Sequence, residues 1–217
     1  MPDRLQQPLP TRGFSLVELL AVMTVIALLA LLLGPAGARA MERAKVAKVY
    51  GELRQIEVGL FLYHTDHQRY PPAAVSCNTA EREHWCELPR ELVTAGYLPG
   101  GTRPGMSSFM QDPFNPGHTY KYATPGPYYL NGELQADGYA VYVPDDFPLC
   151  QSASGRYHDS VQSPLAWVIW SLGPRQQLTK ALNSRSPVSG QTWYRATGDH
   201  GVIARIGQRE ASSFQTP

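Results

Sequence analysis

The sequence predicts an α+β protein in which a long N-terminal helix packs on a small antiparallel β-sheet with long loops. Residues 14–33 form an apolar run, and residues 36–66 follow it with apolar side chains at helical spacing. Beyond residue 70 glycine and proline are frequent, which favours short strands over long parallel βαβ units. A chain of 217 residues fits one ordinary domain plus an appendage, so we do not expect two full enzyme domains.

The charge of the chain is nearly balanced, with 19 basic and 18 acidic side chains. A surface that binds nucleic acid usually carries a clear excess of lysine and arginine. The composition therefore indicates no nucleic-acid partner.

The apolar run of residues 14–33 contains a single ionisable side chain, Glu18, and is long enough to span a bilayer as a helix. A cleaved secretory signal is the alternative, because Ala38-Arg39-Ala40 resembles a signal cleavage site. The run is longer than the roughly 7–15 residues of an ordinary signal core. We therefore predict a membrane helix.

Glu18 needs a partner or a function, because a carboxylate at mid-depth in a bilayer costs about 2.5–3.5 kcal/mol. Cleavage after Gly13 would create a free amine on Phe14, one helical turn from Glu18. The amine and the carboxylate can neutralise one another, within one chain or between neighbours. Alternatively, Glu18 lies close enough to the polar N-terminus to reach water.

The residues around Gly13 resemble the processing site of type IV pilins and type II secretion pseudopilins. This resemblance rests on the segment Arg12-Gly13-Phe14-Ser15-Leu16-Val17-Glu18-Leu19-Leu20. It implies that a prepilin peptidase cuts between Gly13 and Phe14 and methylates the Phe14 amine. It also implies that Glu18 recruits each subunit to a filament, and that the chain is a substrate of the peptidase and not an enzyme.

The same resemblance implies a division into a leader peptide (1–13), a transmembrane helix (14–34), its amphipathic continuation (35–68) and a globular domain (69–217). It implies a single-pass inner-membrane protein with its globular domain on the outer, periplasmic side. The expected partners are other pilin or pseudopilin subunits and an inner-membrane assembly platform. Four basic residues that follow the span predict the opposite orientation by the positive-inside rule, namely Arg39, Arg43, Lys45 and Lys48.

Pro35 follows the apolar run and predicts a kink or break, because proline removes one helical hydrogen bond and clashes with the preceding turn. The pilin family also carries a proline at this spacing. Beyond it, one apolar stripe at alternating spacings of three and four predicts the buried face of a helix. The stripe comprises Val46, Val49, Leu53, Ile56, Leu60 and Tyr63.

The globular part resembles the major pseudopilins of type II secretion, as a divergent member. A short helix in residues 88–99 stopped by Gly96, and a turn at Asp112-Pro113, carry this resemblance, although Phe114 and Arg175 replace the usual Trp and Asp. Strands are predicted at residues 119–123, 138–143, 166–172 and 201–206. The tail from residue 210 is predicted to be a loop.

The three cysteines, Cys77, Cys86 and Cys150, fall in the part that would be exported, where an oxidising environment favours a disulfide. A bridge between Cys77 and Cys86 is the simplest pairing. All three pairings remain open from sequence, and metal binding is the alternative use.

The resemblance implies a calcium ion in the C-terminal loops, held by the oxygen ligands that calcium requires. The available acids match no ligand spacing, so we assign no ligands and expect no other cofactor. These acids are Asp137, Asp145, Asp146, Asp159 and Asp199. His64 and His67 could share a metal only with further ligands, and a position near a helix C-terminus explains them as well.

The sequence thus predicts a structural subunit of a type II secretion pseudopilus or of a type IV pilus-like filament. The alternative is a membrane-anchored or secreted binding domain with an ordinary N-terminal anchor or signal. An enzyme is the third option, but the sequence contains no HExxH, GxSxG or phosphate-binding GxxxxGK[ST] pattern.

Overall fold

A computed structural model describes residues 13–78, 83–99, 110–147, 153–178, 181, 189–209 and 212–217. The chain divides into two compact units, Met1–Arg43 and Ala44–Pro217, which we describe separately. Residues 1–12 of the predicted leader lie outside the described residues, as do Cys150 and residues 182–188.

Helix α1, Leu16–His67, is the longest element of the chain. Its N-terminal part is apolar and carries a candidate membrane span by length and hydropathy, and none of that span is buried. The helix continues through Gly34 and Pro35, so the predicted break does not occur, because the missing N–H of a proline removes only one hydrogen bond from the ladder. The predicted kink stays a prediction.

The second part of α1 presents one face to the core of the unit Ala44–Pro217. All six residues of the predicted apolar stripe are buried, with exposures between 0 and 7%. The same cluster contains apolar side chains from the strands and from the loops between them. The predicted packing of the helix on sheets is therefore confirmed.

The strands form three groups among the described residues. They are β1 (Ala73–Asn78), β2 (Glu83–Glu87), β3 (Lys121–Ala123), β4 (Gly126–Leu130), β5 (Glu133–Tyr139), β6 (Val141–Val143), β7 (Gly155–Tyr157), β8 (Leu165–Ser171), β9 (Ile203–Gln208) and β10 (Ser213–Gln215). One sheet has the order β2-β1-β4-β5, a second has the order β10-β9-β8-β3, and β6 pairs with β7. Every pair is antiparallel except β1 with β4, which is parallel.

Strand β8 is the centre of the second sheet and is buried along its whole length. It pairs with β3 on one side and with β9 on the other. Trp170 of β8 is fully buried, and Gly207 of β9 leaves room for Trp167, whose indole would lie 2.1 Å from a Cβ added at that glycine. Position 207 of β9 therefore requires glycine, because the indole of Trp167 occupies the space that a side chain would need.

A short helix, α2 (Glu91–Thr94), lies within the predicted segment 88–99. Gly96 follows it with φ +81°, the left-handed conformation that ends helices, as predicted. The next residues return to α1: Leu98 is buried, and a Cβ added at Gly59 would approach its side chain to 2.8 Å. Gly59 therefore creates the space in which this segment packs on α1.

The α+β class is confirmed, but two details of the predicted strands are wrong. The predicted strand 138–143 is divided between β5 and β6, which pair in different sheets. The tail is not only loop, because β10 pairs with β9 through Phe214 opposite Ile206. The residues around Phe214 are polar, so the sequence pattern did not predict a strand there. Backbone pairing with β9 stabilises it.

Candidate functional site

The first turn of α1 is closed by reciprocal hydrogen bonds between Ser15 and Glu18. The backbone N–H of Ser15 donates to Oε2 of Glu18 at 2.9 Å. The backbone N–H of Glu18 donates to Oγ of Ser15 at 3.2 Å. A serine followed three residues later by a glutamate is the capping box, which satisfies donors that a helix start leaves unpaired. The carboxylate of Glu18 therefore has a partner within its own chain.

The predicted cleavage junction lies immediately before this turn. Gly13 and Phe14 precede the first helical residue, and the side chain of Phe14 is 83% exposed. A Cβ added at Gly13 would meet no atom within 4 Å among the described residues. The peptide bond between the two residues is thus accessible without unwinding α1.

The side chains that follow the junction face outward. Every described side chain of residues 14–41 is exposed, and most of those in residues 16–33 are apolar. Each Å² of apolar surface left in water costs about 25 cal/mol of free energy relative to burial. This part of α1 therefore requires a bilayer or other apolar helices around it.

Residues 10–34 match a family model described as the prokaryotic N-terminal methylation motif. The motif indicates a type IV pilin-like or pseudopilin precursor. The matched segment includes Gly13, Phe14 and Glu18 and ends before Pro35. The motif implies processing by a prepilin peptidase, assembly with other pilin subunits and a single-pass membrane anchor. No curated protein and no solved structure matches the chain.

The predicted disulfide partners lie on adjacent strands. The backbone of Cys77 in β1 is opposite His84, whereas Cys86 in β2 is opposite Val75. The two cysteines are therefore diagonal neighbours, for which Cα atoms are about 7–8 Å apart. A disulfide requires roughly 4.4–6.8 Å. This register does not favour a direct Cys77–Cys86 disulfide. The disulfide stays a prediction.

The acidic residues considered for calcium are dispersed. Among the described residues, no group of three or more His, Cys, Asp or Glu side chains is placed to hold a metal ion. Asp146 accepts hydrogen bonds from Ser189 Oγ at 2.6 Å and from the Gln191 N–H at 3.2 Å, and these bonds lower its pKa although partial burial opposes them. Asp159 accepts from the N–H of Val161 at 2.8 Å. Asp145 is exposed, and Asp137 has no described side chain. The calcium site stays a prediction without ligands.

Arg175 replaces the acid that the pseudopilin resemblance has after the Gly-Pro pair. Its guanidinium forms an ion pair with Asp199, which also bonds to Nδ1 of His200 at 2.8 Å. The hydrogen bond from His200 and the charge of Arg175 lower the pKa of Asp199. Arg175 therefore places a positive charge beside the acid.

His64 and His67 are engaged with aromatic rings near the end of α1. His64 stacks on Tyr70 with ring centroids 4.5 Å apart, and His67 lies 4.3 Å from Tyr63. The hydroxyl of Tyr97 donates to Oδ2 of Asp66 at 2.7 Å and lies 3.3 Å from Nε2 of His67. Packing at the end of the helix therefore explains the positions of both histidines without a shared metal.

Sequence reasoning missed the buried carboxylate of Asp112, which is 2% exposed. Its Oδ1 accepts from Ser171 Oγ at 2.7 Å and from the Phe114 N–H at 3.0 Å. Its Oδ2 accepts from the Leu172 N–H at 2.9 Å. Burial raises the pKa of Asp112, while these hydrogen bonds oppose the rise. The Asp-Pro turn was the available signal, and it predicts the bond to Phe114 but not those to the end of β8.

Two glutamates of α1 that lie outside the apolar stripe are also engaged. Glu52 Oε2 accepts from the hydroxyl of Tyr120 at 2.5 Å, and Glu57 forms an ion pair with Arg205 at 2.6 Å. Burial of Tyr120 and its bond to Glu52 raise the tyrosine pKa. Both contacts join the helix to the second sheet outside the apolar stripe, one through the residue before β3 and one through β9.

Proposed function

We propose that this chain is a pilin-like or pseudopilin subunit of a filament, either a type II secretion pseudopilus or a type IV pilus-like fibre. A prepilin peptidase cuts it after Gly13 and methylates the amine of Phe14. The observation that supports the proposal most directly is the methylation motif lying on an apolar helix whose described side chains face outward.

In this proposal the apolar part of α1 has two successive environments. It stays in the bilayer as a single span until the subunit is extracted, and it then packs among the same segments of other subunits. Both environments remove its side chains from water. An inner-membrane assembly platform would carry out the extraction, with the unit Ala44–Pro217 on the outer, periplasmic side.

Glu18 selects the incoming subunit by its charge. Before assembly its carboxylate is hydrogen-bonded to Ser15. In the filament it pairs with the Phe14 amine of a neighbour, because opposite charges in an apolar surrounding attract strongly. This pairing is the chemical step that distinguishes assembly from ordinary membrane anchoring.

Mass spectrometry of the mature protein tests the processing step. The expected N-terminus is a methylated Phe14. A chain that begins at Met41 would instead show an ordinary signal peptide, and an intact leader would show a simple anchor of a binding domain. Either result would overturn the proposal.

Two substitutions of Glu18 separate its charge from its capping bond. Glu18→Gln keeps an oxygen that can accept from the Ser15 N–H, whereas Glu18→Ala removes both the oxygen and the charge. We expect both variants to insert in the membrane normally and to give little filament. Thr24→Ala is the matched control, because Thr24 bonds only to Ala21 within the helix among its described contacts.

If Glu18→Gln assembles as well as the native chain, capping and not charge is the role of Glu18, and the pairing with Phe14 is wrong. If filament yield is normal in both variants, the side chain has no part in assembly. Filament yield is measured by shearing and sedimentation, and membrane insertion by fractionation.

A further inference from the structure

A groove lies beside the C-terminal end of α1 on the unit Ala44–Pro217. It encloses a cavity of about 470 Å³, bounded by α1, the start of β4, the start of β8, the end of β9 and the start of β10. Its apolar and aromatic walls comprise Phe61, Tyr70, Pro72, Pro127, Val161 and Trp167. Phe61 and Val161 are each 59% exposed, so this apolar surface faces outward.

The rim of the groove is positively charged. Arg69 and Arg209 line it with exposed side chains. The acid that lines it, Glu57, is neutralised by Arg205 at 2.6 Å. Within the described part of the chain, the ion pairs include neither Arg69 nor Arg209. The groove therefore suits a partner with an apolar tip and a nearby negative charge.

The turn between β4 and β5 has this chemistry. Asn131 and Gly132 have φ values of 50° and 90°, the conformation that makes a two-residue hairpin turn tight. Glu133 is exposed directly after the turn. Leu134 is 60% exposed, the largest fraction for a large apolar side chain among the described residues of the unit Ala44–Pro217. We call residues 131–134 the hairpin tip.

The hairpin tip cannot fill the groove of its own chain. Pro127, near the start of β4, lines the groove, whereas the tip begins directly after the other end of that strand. The distance along the strand from Pro127 to Asn131 is roughly 13 Å at about 3.3 Å per residue. The paired strand holds the two features apart.

We propose that the hairpin tip of one copy docks in the groove of the next copy. Leu134 contacts the apolar walls, and Glu133 lies near Arg69 and Arg209. Two complementary surfaces at opposite ends of one strand give a head-to-tail contact, which repeats along an open fibre when the rotation between copies does not close a ring. The occupant is a second copy of this chain, an assignment that rests on the proposed filament function.

Disulfide cross-linking of the full chain in cells that assemble the filament tests the contact. The variant carries Leu134→Cys together with Val161→Cys, which places one thiol on the tip and one in the groove wall. Oxidation should give a ladder of multimers several-fold stronger than in either single variant. Tyr142→Cys with Val161→Cys is the matched control, because Tyr142 is also exposed, at 41%, but lies outside the tip.

A charge exchange tests the polar part of the contact. Glu133→Arg should lower filament yield, Arg69→Glu should lower it as well, and the double exchange should restore most of it. Asp145→Arg, at an exposed acid away from the tip, should leave the yield unchanged.

Each outcome has one meaning. Filaments that form without a ladder, or with an equal ladder in the control pair, overturn the docking contact and leave the filament function standing. A cross-link to a different protein overturns the second copy as the occupant. Absence of filaments from the unmodified chain overturns the proposed function itself.

Discussion

At the scale of single residues, Asp112 joins two segments that are far apart in the chain. Its carboxylate holds the start of its own turn through Phe114 and the end of β8 through Ser171 and Leu172. Ser171 Oγ in turn accepts from the N–H of Gly173 at 3.1 Å. One buried side chain therefore organises the exit of the central strand.

The raised pKa of Asp112 predicts how stability depends on pH. Burial raises this pKa from 3.8, so the folded protein binds more protons than the unfolded chain between the two values. The stability that Asp112 contributes through protonation is fully present below its ordinary pKa and is lost as pH rises through the folded pKa.

The variant Asp112→Asn cannot titrate and should lack this dependence. The quantity to measure is the free energy of unfolding of the native chain minus that of this variant. We expect this difference to fall as pH rises from the ordinary aspartate pKa of 3.8 toward neutrality. Urea unfolding of both proteins in detergent at several pH values measures it. A difference that rises with pH would show that the hydrogen bonds outweigh burial.

Glu18 and Asp112 also show what sequence alone can predict at this scale. The partner of Glu18 is Ser15, within one helical turn, and the Ser-x-x-Glu spacing is sufficient to predict the bond. Two partners of Asp112 lie on a strand that becomes its neighbour only in the folded chain. A local pattern could therefore identify a turn there but not a buried anchor.

At the scale of elements, α1 has two different apolar faces in its second part. The inner face includes Leu53, with no exposed area, whereas the outer face carries Val58, Phe61 and Leu62 at 53, 59 and 45% exposure. The inner face stabilises the fold, and the outer face is left for contacts outside the chain.

Matched leucine substitutions distinguish the two faces. Leu53→Ala should lower the free energy of unfolding by about 2–5 kcal/mol, because it leaves a cavity in the core. Leu62→Ala should change it by roughly 0.5 kcal/mol or less, because nearly half of this residue is exposed and it lies outside the core. Urea unfolding followed by tryptophan fluorescence compares them. Equal losses would contradict the assignment of the faces.

The helix and the most apolar strands could be predicted, because periodicity and composition identify a buried face without knowledge of its partner. β8 was predicted within one residue at each end, since nearly every side chain in it is apolar. β1, β4 and β10 were not, because they pair through the backbone while prolines or polar residues flank them. The groove was also beyond prediction, since its walls come from five separate segments.

At the scale of the whole molecule, the two units differ in what they bury. Described side chains of residues 13–41 are exposed, and Val46 is the first buried apolar side chain of α1. Among the described residues, removal of residues 1–43 therefore takes away no buried apolar side chain.

A fragment of residues 44–217 should fold alone and remain soluble without detergent. Its near-ultraviolet circular dichroism should match that of the full chain in detergent, because the buried tryptophans keep their surroundings. A fragment of residues 54–217 is the matched comparison, since it also lacks Val46, Val49 and Leu53 and should lose cooperative unfolding. Loss of the signal in the longer fragment would show that the fold depends on the N-terminal unit.

The capping bond of Glu18 uses only Oε2. In the proposed filament, the ammonium of an approaching neighbour can bind Oε1 while Ser15 still holds the other oxygen. The carboxylate of Glu18 then has at least one hydrogen-bonding partner throughout assembly and is never unpaired in the hydrocarbon of the bilayer. Such an exchange lowers the barrier to leaving the bilayer, so the capping bond beside the cleavage junction would set how fast subunits enter the fibre rather than how stable the finished fibre is.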